Sequence, residues 1–193
     1  MAWVKRARRL ALAGAAAALY VIPACSSKHG GDLSALAASG AMKGLAVETT
    51  PAVAPTASFT DAQGRAHTLA EFRGRAVVLN LWGTFCAPCI AEMPTLAKLA
   101  SETAGQPVVV LPVSVDPEGE RANAEAFLAR SPGLPFYSDP NYGLAFGVKP
   151  PVSGLPTTLL IDKTGVVRAR VAGGADWADA GALKVVQALE QAG

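Results

Sequence analysis

The sequence predicts an α/β fold with a central mixed sheet that carries helices on both faces. Apolar runs with the length of buried strands alternate with stretches of helical periodicity between residues 76 and 191. Such alternation is typical of a sheet covered by helices on both sides. Near the C-terminus, two strand-like runs, 157–161 and 166–171, are separated by the turn-like residues 162–165. Because so short a connection makes its two strands antiparallel, the sheet should contain both strand directions.

A small β-hairpin should open the folded domain, which we expect to cover residues 57–193. The short runs 59–60 and 67–69 flank 61–64, a turn-like stretch that ends in glycine, and this pattern favours a hairpin. Residues 71–74 then have the pattern of one helical turn that a glycine closes. The domain therefore begins with an N-terminal hairpin at one side of the sheet.

Two long strand–helix units, a central insertion and a closing hairpin with its helix should complete the domain. The run Val77–Trp82 is almost continuously apolar, as expected for a central strand covered on both faces. The other predicted elements, in chain order, are a helix over Cys86–Thr103, a strand over Val108–Val115, a helix over Gly119–Arg130, a short strand at Phe136-Tyr137, a short helix over Tyr142–Phe146, the hairpin, and a helix over Trp177–Gln191.

Residues 1–25 have the pattern of a signal peptide or membrane anchor. A basic start is followed by the uncharged apolar run 10–22, which is short for a membrane span and suits a signal-peptide core. Ile22-Pro23-Ala24-Cys25 then resembles a bacterial lipoprotein cleavage site, although Pro23 is atypical there. Lipidation of Cys25 and an uncleaved anchor both stay open. Both place the folded part on the periplasmic side of the cytoplasmic membrane, where disulfides can form and be exchanged.

Residues 26–56 should be a spacer between that segment and the domain. Residues 26–31 are polar and contain two glycines, as in a flexible linker. Asp32 can cap a short helix, and residues 49–56 hold two prolines and should be extended. A simple tether is one interpretation. We favour docking of the segment 33–45 on the domain, because its leucines and methionine would otherwise be exposed.

The charge balance gives no reason to expect a nucleic-acid partner. The formal net charge is +2, from 17 basic and 15 acidic residues, but four of the basic residues lie in the first ten positions. Without those four, the chain has 13 basic residues against 15 acidic ones, so the composition indicates no basic face. With 51% apolar residues the chain can bury a core, and we expect a monomer.

Cys86 and Cys89 form a Cys-x-x-Cys that follows the predicted central strand and begins the predicted helix. This is the usual setting of a redox-active dithiol. Free backbone N–H groups and the helix dipole favour a thiolate at Cys86, so Cys86 should attack a substrate disulfide. Cys89, one turn further on, should resolve the mixed disulfide. Pro88 falls in the first turn, where a missing N–H costs little.

A structural zinc site is the metal-binding alternative for these cysteines. Such a site needs about four ligands. With Cys25 assigned to the signal segment, only His29 and His67 remain as further candidates, and neither has finger-like spacing. We therefore expect no metal and a redox role for the pair.

Three longer segments show which class of redox protein the chain resembles. They are LAEFRGRAVVLNLWGTFCAPCIAEMPTL (69–96), YSDPNYGLAFGV (137–148) and SGLPTTLLIDKTGVV (153–167). With them the chain resembles the TlpA/ResA-like thiol:disulfide oxidoreductases of the thioredoxin superfamily, over about residues 57–193. MKGLAVETTP (42–51) and Ala175-Asp176-Trp177 look closest to the TlpA branch. The resemblance implies a thioredoxin-like fold and no cofactor.

The resemblance also implies where a substrate docks. It implies that Leu155-Pro156 is a cis peptide beside the cysteines, and that Leu155, Pro156 and Pro88 contact the substrate. Trp82 should cover the dithiol and form part of the same surface. Phe85 stands where thioredoxins have a second tryptophan.

Glu92 is the candidate proton acceptor. It lies three residues after Cys89, on the same helix face, and it resembles the acid that ResA-like proteins place near the dithiol. Thioredoxins proper carry an aspartate in the strand where this chain has Asn80, which leaves Glu92 to take the proton from Cys89. The other interpretation is an ordinary exposed helix glutamate.

The expected function is that of a membrane-tethered reductant. By resemblance, a membrane thiol-disulfide electron donor would supply it with electrons, and its substrates would be cysteine pairs of cytochrome oxidase assembly factors or of apocytochrome c. A dithiol oxidase or isomerase is the enzymatic alternative, since the direction depends on the reduction potential. A protein that binds Cu(I) on the dithiol and acts as a copper chaperone is the non-enzymatic alternative. Sco-like chaperones use a Cys-x-x-x-Cys with a distal histidine, and here no histidine follows His67.

Overall fold

The structure is a computed structural model that describes residues 32–40 and 42–193. The predicted signal segment 1–25, with Cys25 and its lipidation, lies outside the described residues, as does the start of the predicted spacer. Within the described ranges, no helix combines the length and the apolar character needed to cross a membrane.

Strands and helices alternate along the described part of the chain. The strands are β1 Leu45–Val53, β2 Phe59–Asp61, β3 Ala66–His67, β4 Ala76–Trp82, β5 Val108–Ser114, β6 Tyr137–Ser138, β7 Thr157–Ile161 and β8 Val166–Ala172. The α-helices are α1 Leu33–Ala38, α2 Ala87–Glu102, α3 Arg121–Leu128, α4 Gly143–Gly147 and α5 Ala180–Gln191. Two 3₁₀ turns cover Leu69–Phe72 and Glu118–Glu120.

In the described residues the strands form a sheet with the order β1-β8-β7-β4-β5-β6-β2-β3. β4 runs parallel to β5 and antiparallel to β7, and β5 runs parallel to β6. Both predicted hairpins are present, as β2 paired with β3 and as β7 paired with β8. The structure therefore confirms the α/β fold with a mixed central sheet.

β4 is covered on both faces, as its apolar run predicted. All seven of its residues are buried. Val78 and Trp82 belong to the core beneath α2, α3 and α5, whereas Val77, Leu79 and Leu81 belong to the core beneath α4 and the first 3₁₀ turn. Full burial of one such aliphatic side chain contributes roughly 1.5–3 kcal/mol. This packing fixes the point at which β4 ends and the cysteine loop begins.

The predicted spacer 26–56 contributes two elements to the folded part. The carboxylate of Asp32 accepts a hydrogen bond from Ala35 N at 3.0 Å and caps α1. β1 pairs antiparallel with β8 at the edge of the sheet, and Leu33 and Met42 are buried in the core. The folded part therefore extends N-terminal to residue 57, where we placed its start. The reason is that β8 offers a free edge and the core offers apolar surface to this segment.

The C-terminal helix begins later than predicted, at Ala180 rather than Trp177. The carboxylate of Asp179 accepts a hydrogen bond from Gly181 N at 2.6 Å and thereby caps α5. Trp177 consequently belongs to the loop between β8 and α5, where it is fully buried. This loop, residues 173–177, lies over the start of α2 and is called the covering loop below.

Candidate active site

The two cysteines occupy the start of α2 and form a disulfide. Their sulfurs are 2.01 Å apart and their Cα atoms 5.2 Å apart. Cys86 is the N-cap of α2, with extended backbone dihedrals, and Pro88 lies in the first turn. Cys86 is partly exposed, whereas Cys89 is fully buried. An attacking sulfur must reach a partner and a resolving sulfur need not, so this difference fits the roles predicted from the sequence.

The start of α2 favours negative charge on Cys86. The backbone N–H of Cys89 donates to Sγ of Cys86 at 3.3 Å. Unpaired N–H groups and the helix dipole at such a terminus stabilise an anion. Once the disulfide is reduced, the same N–H group would donate to a thiolate at Cys86. The helix start therefore acts on the sulfur that should be the nucleophile.

A buried carboxylate holds the loop between β4 and the cysteines. Asp116 is 1% exposed and accepts hydrogen bonds from Thr84 N at 3.0 Å, from Thr84 Oγ1 at 2.6 Å and from Ser114 Oγ at 2.7 Å. Sequence reasoning did not identify this group. The available signal was that Asp116 comes two residues after the end of β5. Because β5 runs parallel to β4, both strands end at the same edge of the sheet.

Phe85, and not Trp82, is the exposed aromatic residue beside the dithiol. Trp82 has no exposed surface and its ring packs 5.7 Å from that of Phe127. The prediction that Trp82 forms part of the docking surface is therefore wrong, because β4 places its side chain in the core. Phe85 is 62% exposed. Its ring lies over Gly83, where a Cβ atom would come within 2.6 Å of it.

The proline loop lies beside the end of β4. The Leu155-Pro156 peptide bond is cis, as the resemblance implied. The next residue, Thr157, pairs with Leu81 in the sheet, so Pro156 lies level with the end of β4 that leads to the cysteines. Pro156 is buried and Leu155 is partly exposed. The carbonyl of Pro156 accepts a hydrogen bond from Gly173 N at 2.9 Å, which joins this loop to the covering loop.

Glu92 is buried in a polar network on α2. It is 3% exposed, which excludes the interpretation as an ordinary surface glutamate. Its Oε1 accepts a hydrogen bond from Asn80 Nδ2 at 2.8 Å. Its Oε2 accepts from Ala175 N at 3.0 Å and from Trp177 Nε1 at 3.3 Å. Burial raises the pKa of Glu92 above its ordinary value, although the hydrogen bonds from Ala175, Asn80 and Trp177 act against that rise.

The covering loop closes over Glu92 but leaves a pocket beside it. Trp177 N donates to Thr95 Oγ1 at 3.1 Å, and a Cβ atom on Gly174 would lie 3.2 Å from Cβ of Pro88. The pocket has a volume of about 330 Å³. The residues that line it are Pro88, Ala91, Glu92, Thr95, Gly174, Ala175 and Asp176. A buried carboxyl group is thus placed one helical turn from Cys89 and next to a surface pocket.

The structure brings most of the predicted site residues to one end of the sheet. Cys86, Pro88 and Cys89 share the first turn of α2, and Glu92 follows one turn later. Leu155 packs against the core that contains Cys89. In the described residues, the hydrogen bonds of the Glu92 carboxylate come from the sheet and the covering loop and not from a cysteine. This arrangement can support thiol–disulfide exchange with a neutralisable acid nearby.

Comparison with known proteins gives a matching family and similar proteins. The AhpC/TSA family matches residues 51–170. The thiol-disulfide oxidoreductase ResA of Geobacillus thermodenitrificans is 42% identical over 125 residues, which cover 62% of this chain and 67% of that protein. The family match at residues 51–170 includes the cysteine loop, the proline loop and most of the sheet.

Solved structures are similar in fold. A secreted thiol-disulfide isomerase of Corynebacterium glutamicum has a TM-score of 0.59 and 25% identity, over 77% of this chain and 92% of that one. A thiol:disulfide interchange protein of the thioredoxin family from Chlorobium tepidum has a TM-score of 0.60 and 22% identity, over 74% of this chain and 99% of that one. The second likeness concerns the fold alone.

Proposed function

The chain belongs to the AhpC/TSA family and is a ResA-like thiol-disulfide oxidoreductase of thioredoxin fold, and on that premise we propose that it reduces cysteine pairs of other proteins outside the cytoplasmic membrane. The observation that carries the proposal is the disulfide at the start of α2. In this disulfide Cys86 is partly exposed and Cys89 is fully buried, and the buried acid Glu92 follows on the same helix.

In the first step the Cys86 thiolate attacks one sulfur of a substrate disulfide. The substrate S–S bond breaks, its second sulfur leaves as a thiolate, and a mixed disulfide joins Cys86 to the first sulfur. The helix start supports this step because it stabilises the thiolate at Cys86. Of the two cysteines that the structure describes, only Cys86 has exposed surface for the attack.

In the second step Cys89 resolves the mixed disulfide. Its thiol gives a proton to the carboxylate of Glu92, and the resulting thiolate attacks Sγ of Cys86. The mixed disulfide breaks, the substrate sulfur leaves, and the disulfide between Cys86 and Cys89 forms. Two electrons have then passed to the substrate. The raised pKa of Glu92 supports this role, since a carboxylate with a raised pKa is a better proton acceptor.

The substrate should dock on the surface around Cys86. Pro88 and Phe85 are exposed there, and the cis peptide Leu155-Pro156 borders the same end of the sheet. Trp82 supports this surface from the core. An extended substrate segment that carries the cysteine pair fits such a surface, with Leu155 and Pro156 on one side and Pro88 on the other.

The partners that we propose come from the family resemblance. They are cytochrome oxidase assembly factors or apocytochrome c as substrates, and a membrane thiol-disulfide transporter as the electron donor. The proposed place is the periplasmic side of the cytoplasmic membrane, with the N-terminus as a tether through Cys25 or an uncleaved anchor. The pattern of residues 1–25 supports this location.

A trapping experiment tests the proposal. Cys89→Ser removes the resolving sulfur, so the mixed disulfide between Cys86 and the substrate should accumulate in cells. Mass spectrometry of the captured proteins should return extracytoplasmic proteins with cysteine pairs. The double variant Cys86→Ser/Cys89→Ser is the control and should capture nothing. Capture of cytosolic proteins only would contradict the location as well as the substrate class.

The reduction potential decides the direction. A value near that of thioredoxin, about −270 mV, fits a reductant, whereas a value near −120 mV fits an oxidant. Equilibration of the protein with glutathione or dithiothreitol buffers measures it. An oxidising value would replace the reductase by the oxidase or isomerase alternative. Tight stoichiometric binding of Cu(I) to the reduced protein would instead favour the chaperone.

A further inference from the structure

The two carboxylate oxygens of Glu92 have partners of different kinds. Oε2 accepts hydrogen bonds from the backbone N–H of Ala175 and the indole N–H of Trp177, and neither of these groups can accept a hydrogen bond. Oε1 faces the side-chain amide of Asn80, which has a donor end and an acceptor end. A proton on Oε2 would point at two donors. The proton of Glu92 therefore belongs on Oε1.

Asn80 itself is incompletely paired. Its side chain is fully buried, and Nδ2 donates both to Glu92 Oε1 and to Thr158 Oγ1, at 2.8 and 2.9 Å. Its Oδ1 is buried and, in the part of the chain that the structure describes, has no hydrogen-bond partner. Buried polar atoms are rarely left in that state. An ionised Glu92 explains this orientation, because a carboxylate requires a donor.

We propose that Asn80 is a positioning residue whose amide turns over when Glu92 takes up a proton. A half-turn places Oδ1 where Nδ2 was, and Oδ1 then accepts from the Oε1–H of Glu92 and from the hydroxyl of Thr158, which can donate as well as accept. After this half-turn, Nδ2 of Asn80 takes the place in which Oδ1 had no hydrogen-bond partner. The inference rests on the proposed function, in which Glu92 receives its proton from Cys89.

The groups around Glu92 make the dithiol the natural source of that proton. On α2, Cys86 and Cys89 become titratable once their disulfide is reduced, and Cys89 lies one helical turn before Glu92. On the covering loop, Asp176 lines the pocket beside Glu92. β4 and β7 present the neutral side chains of Asn80 and Thr158. The orientation of the Asn80 amide should therefore change when Cys89 gives its proton to Glu92. Asp176 should remain at the solvent end of the pocket.

Nuclear magnetic resonance of the full chain with ¹⁵N-labelled asparagine tests the amide directly. In Glu92→Gln the carbonyl oxygen of the new amide must accept the hydrogen bonds from Ala175 and Trp177. Its amino group then faces Asn80, so the Asn80 side chain should turn and accept a hydrogen bond through Oδ1. The Asn80 side-chain resonances of this variant should match those of the wild type below the titration of Glu92 and differ from those above it. Resonances equal to those of the ionised wild type would overturn the inference.

A second measurement uses substitutions of Asn80. In Asn80→Ser the donor to the ionised Oε1 and the acceptor for its proton are both lost. Because a hydrogen bond to a charged group is the stronger of the two, the pKa of Glu92 should still rise, and the pH dependence of Cys89 reactivity should shift in the same direction. Asn80→Asp, which keeps the shape of the side chain, serves if the serine variant does not fold. It places a second carboxylate beside Oε1 and should raise the pKa of Glu92 further.

The control is Thr103→Val, which removes a buried hydroxyl at the far end of α2 and should leave both titrations unchanged. A merely structural role of Asn80 would lower the melting temperature and leave the titration of Glu92 in place, and that result would reject the inference. If Glu92→Gln leaves the pH profile of the dithiol unchanged, the proposed role of Glu92 fails instead. The two failures are thus distinguishable.

Discussion

Cys86 and Cys89 lie within one helical turn of each other, yet one is partly exposed and the other has no exposed surface. The helix start decides this difference, because the N-cap residue faces outward while the residue three positions later faces the core. Glu92 continues the buried face for a further turn. The chemistry at the residue scale is therefore set by the orientation of α2 against the sheet.

Replacement of Glu92 should separate the two steps of exchange. In Glu92→Gln the formation of the mixed disulfide by Cys86 should keep its rate, and its resolution by Cys89 should slow by roughly 10²- to 10⁴-fold, the range for loss of a positioned proton acceptor. Rapid-mixing kinetics with a peptide disulfide, followed over pH, measures both steps. Unchanged pH–rate profiles for resolution would remove Glu92 from the mechanism.

The same substitution should change the dependence of stability on pH. A carboxyl group whose pKa is raised in the folded protein stabilises it below the ordinary pKa of 4.5, and this contribution is lost as the pH rises through the raised value. Glu92→Gln should remove that loss, so its free energy of unfolding should fall less than that of the wild type above pH 4.5. Denaturant titrations at several pH values provide the comparison.

His67, in the N-terminal hairpin, should make the stability of the protein depend on pH in a second range. Its Nδ1 lies 2.8 Å from Glu71 Oε2 and its Nε2 lies 3.1 Å from Asp61 Oδ2. The hydrogen bonds to Glu71 and Asp61 raise the pKa of His67 above 6.5, although burial opposes them. The stabilisation is complete below pH 6.5 and is lost as the pH rises through the raised pKa.

His67→Gln should therefore flatten the fall in stability above pH 6.5. Melting temperatures between pH 5 and 9 (about the range in which a histidine titrates) measure this effect. Glu71→Gln is the matched control, since it removes one of the two acids and should reduce the fall without abolishing it. A fall of the same size in His67→Gln would assign the effect to another group.

At the scale of elements, the site is made where four segments meet. The end of β4 leads into the cysteine loop, the end of β5 supplies Asp116, the start of β7 follows Pro156, and the covering loop follows β8. Each segment is joined to another by hydrogen bonds, such as that from Gly173 N to the carbonyl of Pro156. These hydrogen bonds hold the four segments around the dithiol in fixed positions at one edge of the sheet.

Asp116 should hold the cysteine loop in place. Thr84→Val removes the 2.6 Å hydrogen bond from Thr84 Oγ1 and should destabilise the protein by about 1–3 kcal/mol, as expected for a bond to a buried charged group. It should also slow the attack by Cys86, because the loop that positions it loosens. Stopped-flow rates with a peptide disulfide measure the second effect.

Thr164→Val is the matched control for this prediction. Its hydroxyl makes a similar bond, 2.7 Å long, to the carboxylate of Asp162 in the turn between β7 and β8. That turn lies at the opposite ends of the strands from the site. The control should lose stability while the rate of attack stays unchanged. Equal slowing in both variants would show that the effect is general destabilisation.

Local patterns in the sequence were sufficient to predict much of the element order. The dithiol at a helix start, both hairpins and the central strand follow from short-range signals, namely spacing, turn residues and apolar runs. The cis bond at Pro156 came from family resemblance. The burial of Glu92 could only be proposed, because helix spacing shows which residues share a face and does not show what covers that face.

The features that were missed depend on contacts between distant segments. None of the nine residues of β1 is buried, and the strand contains Pro51, so the segment lacks the apolar alternation of a half-buried strand and appeared to be a linker. Only its pairing with β8 makes it a strand. Likewise Trp82 appeared suited to the surface, and its burial follows from packing against α3 through Phe127.

At the scale of the whole molecule, β1 completes the sheet that carries the site. It covers the edge of β8, and Leu33 and Met42 from the same segment fill the core beside α5. A chain that starts at residue 57 should expose that edge and those core positions. Exposed strand edges pair with other chains, so this truncation should melt at a lower temperature and aggregate.

A chain that starts at residue 32 is the control for the truncation. It keeps α1 and β1 and should melt like the full chain. Differential scanning fluorimetry and light scattering compare the two. If the chain from residue 57 is as stable and as monodisperse as the chain from residue 32, then β1 is dispensable for folding and the boundary at residue 57 would stand after all.

The placement of the indole rings has an optical consequence. Trp82 belongs to the same core as Cys89, so the disulfide should quench its fluorescence and reduction should brighten it. Trp177 donates its indole N–H to Glu92, so its emission wavelength should follow the charge of that carboxylate. The described part of the chain therefore carries two fluorescent reporters, Trp82 for the redox state of the dithiol and Trp177 for the protonation of Glu92, and a spectrometer can follow both during a single turnover.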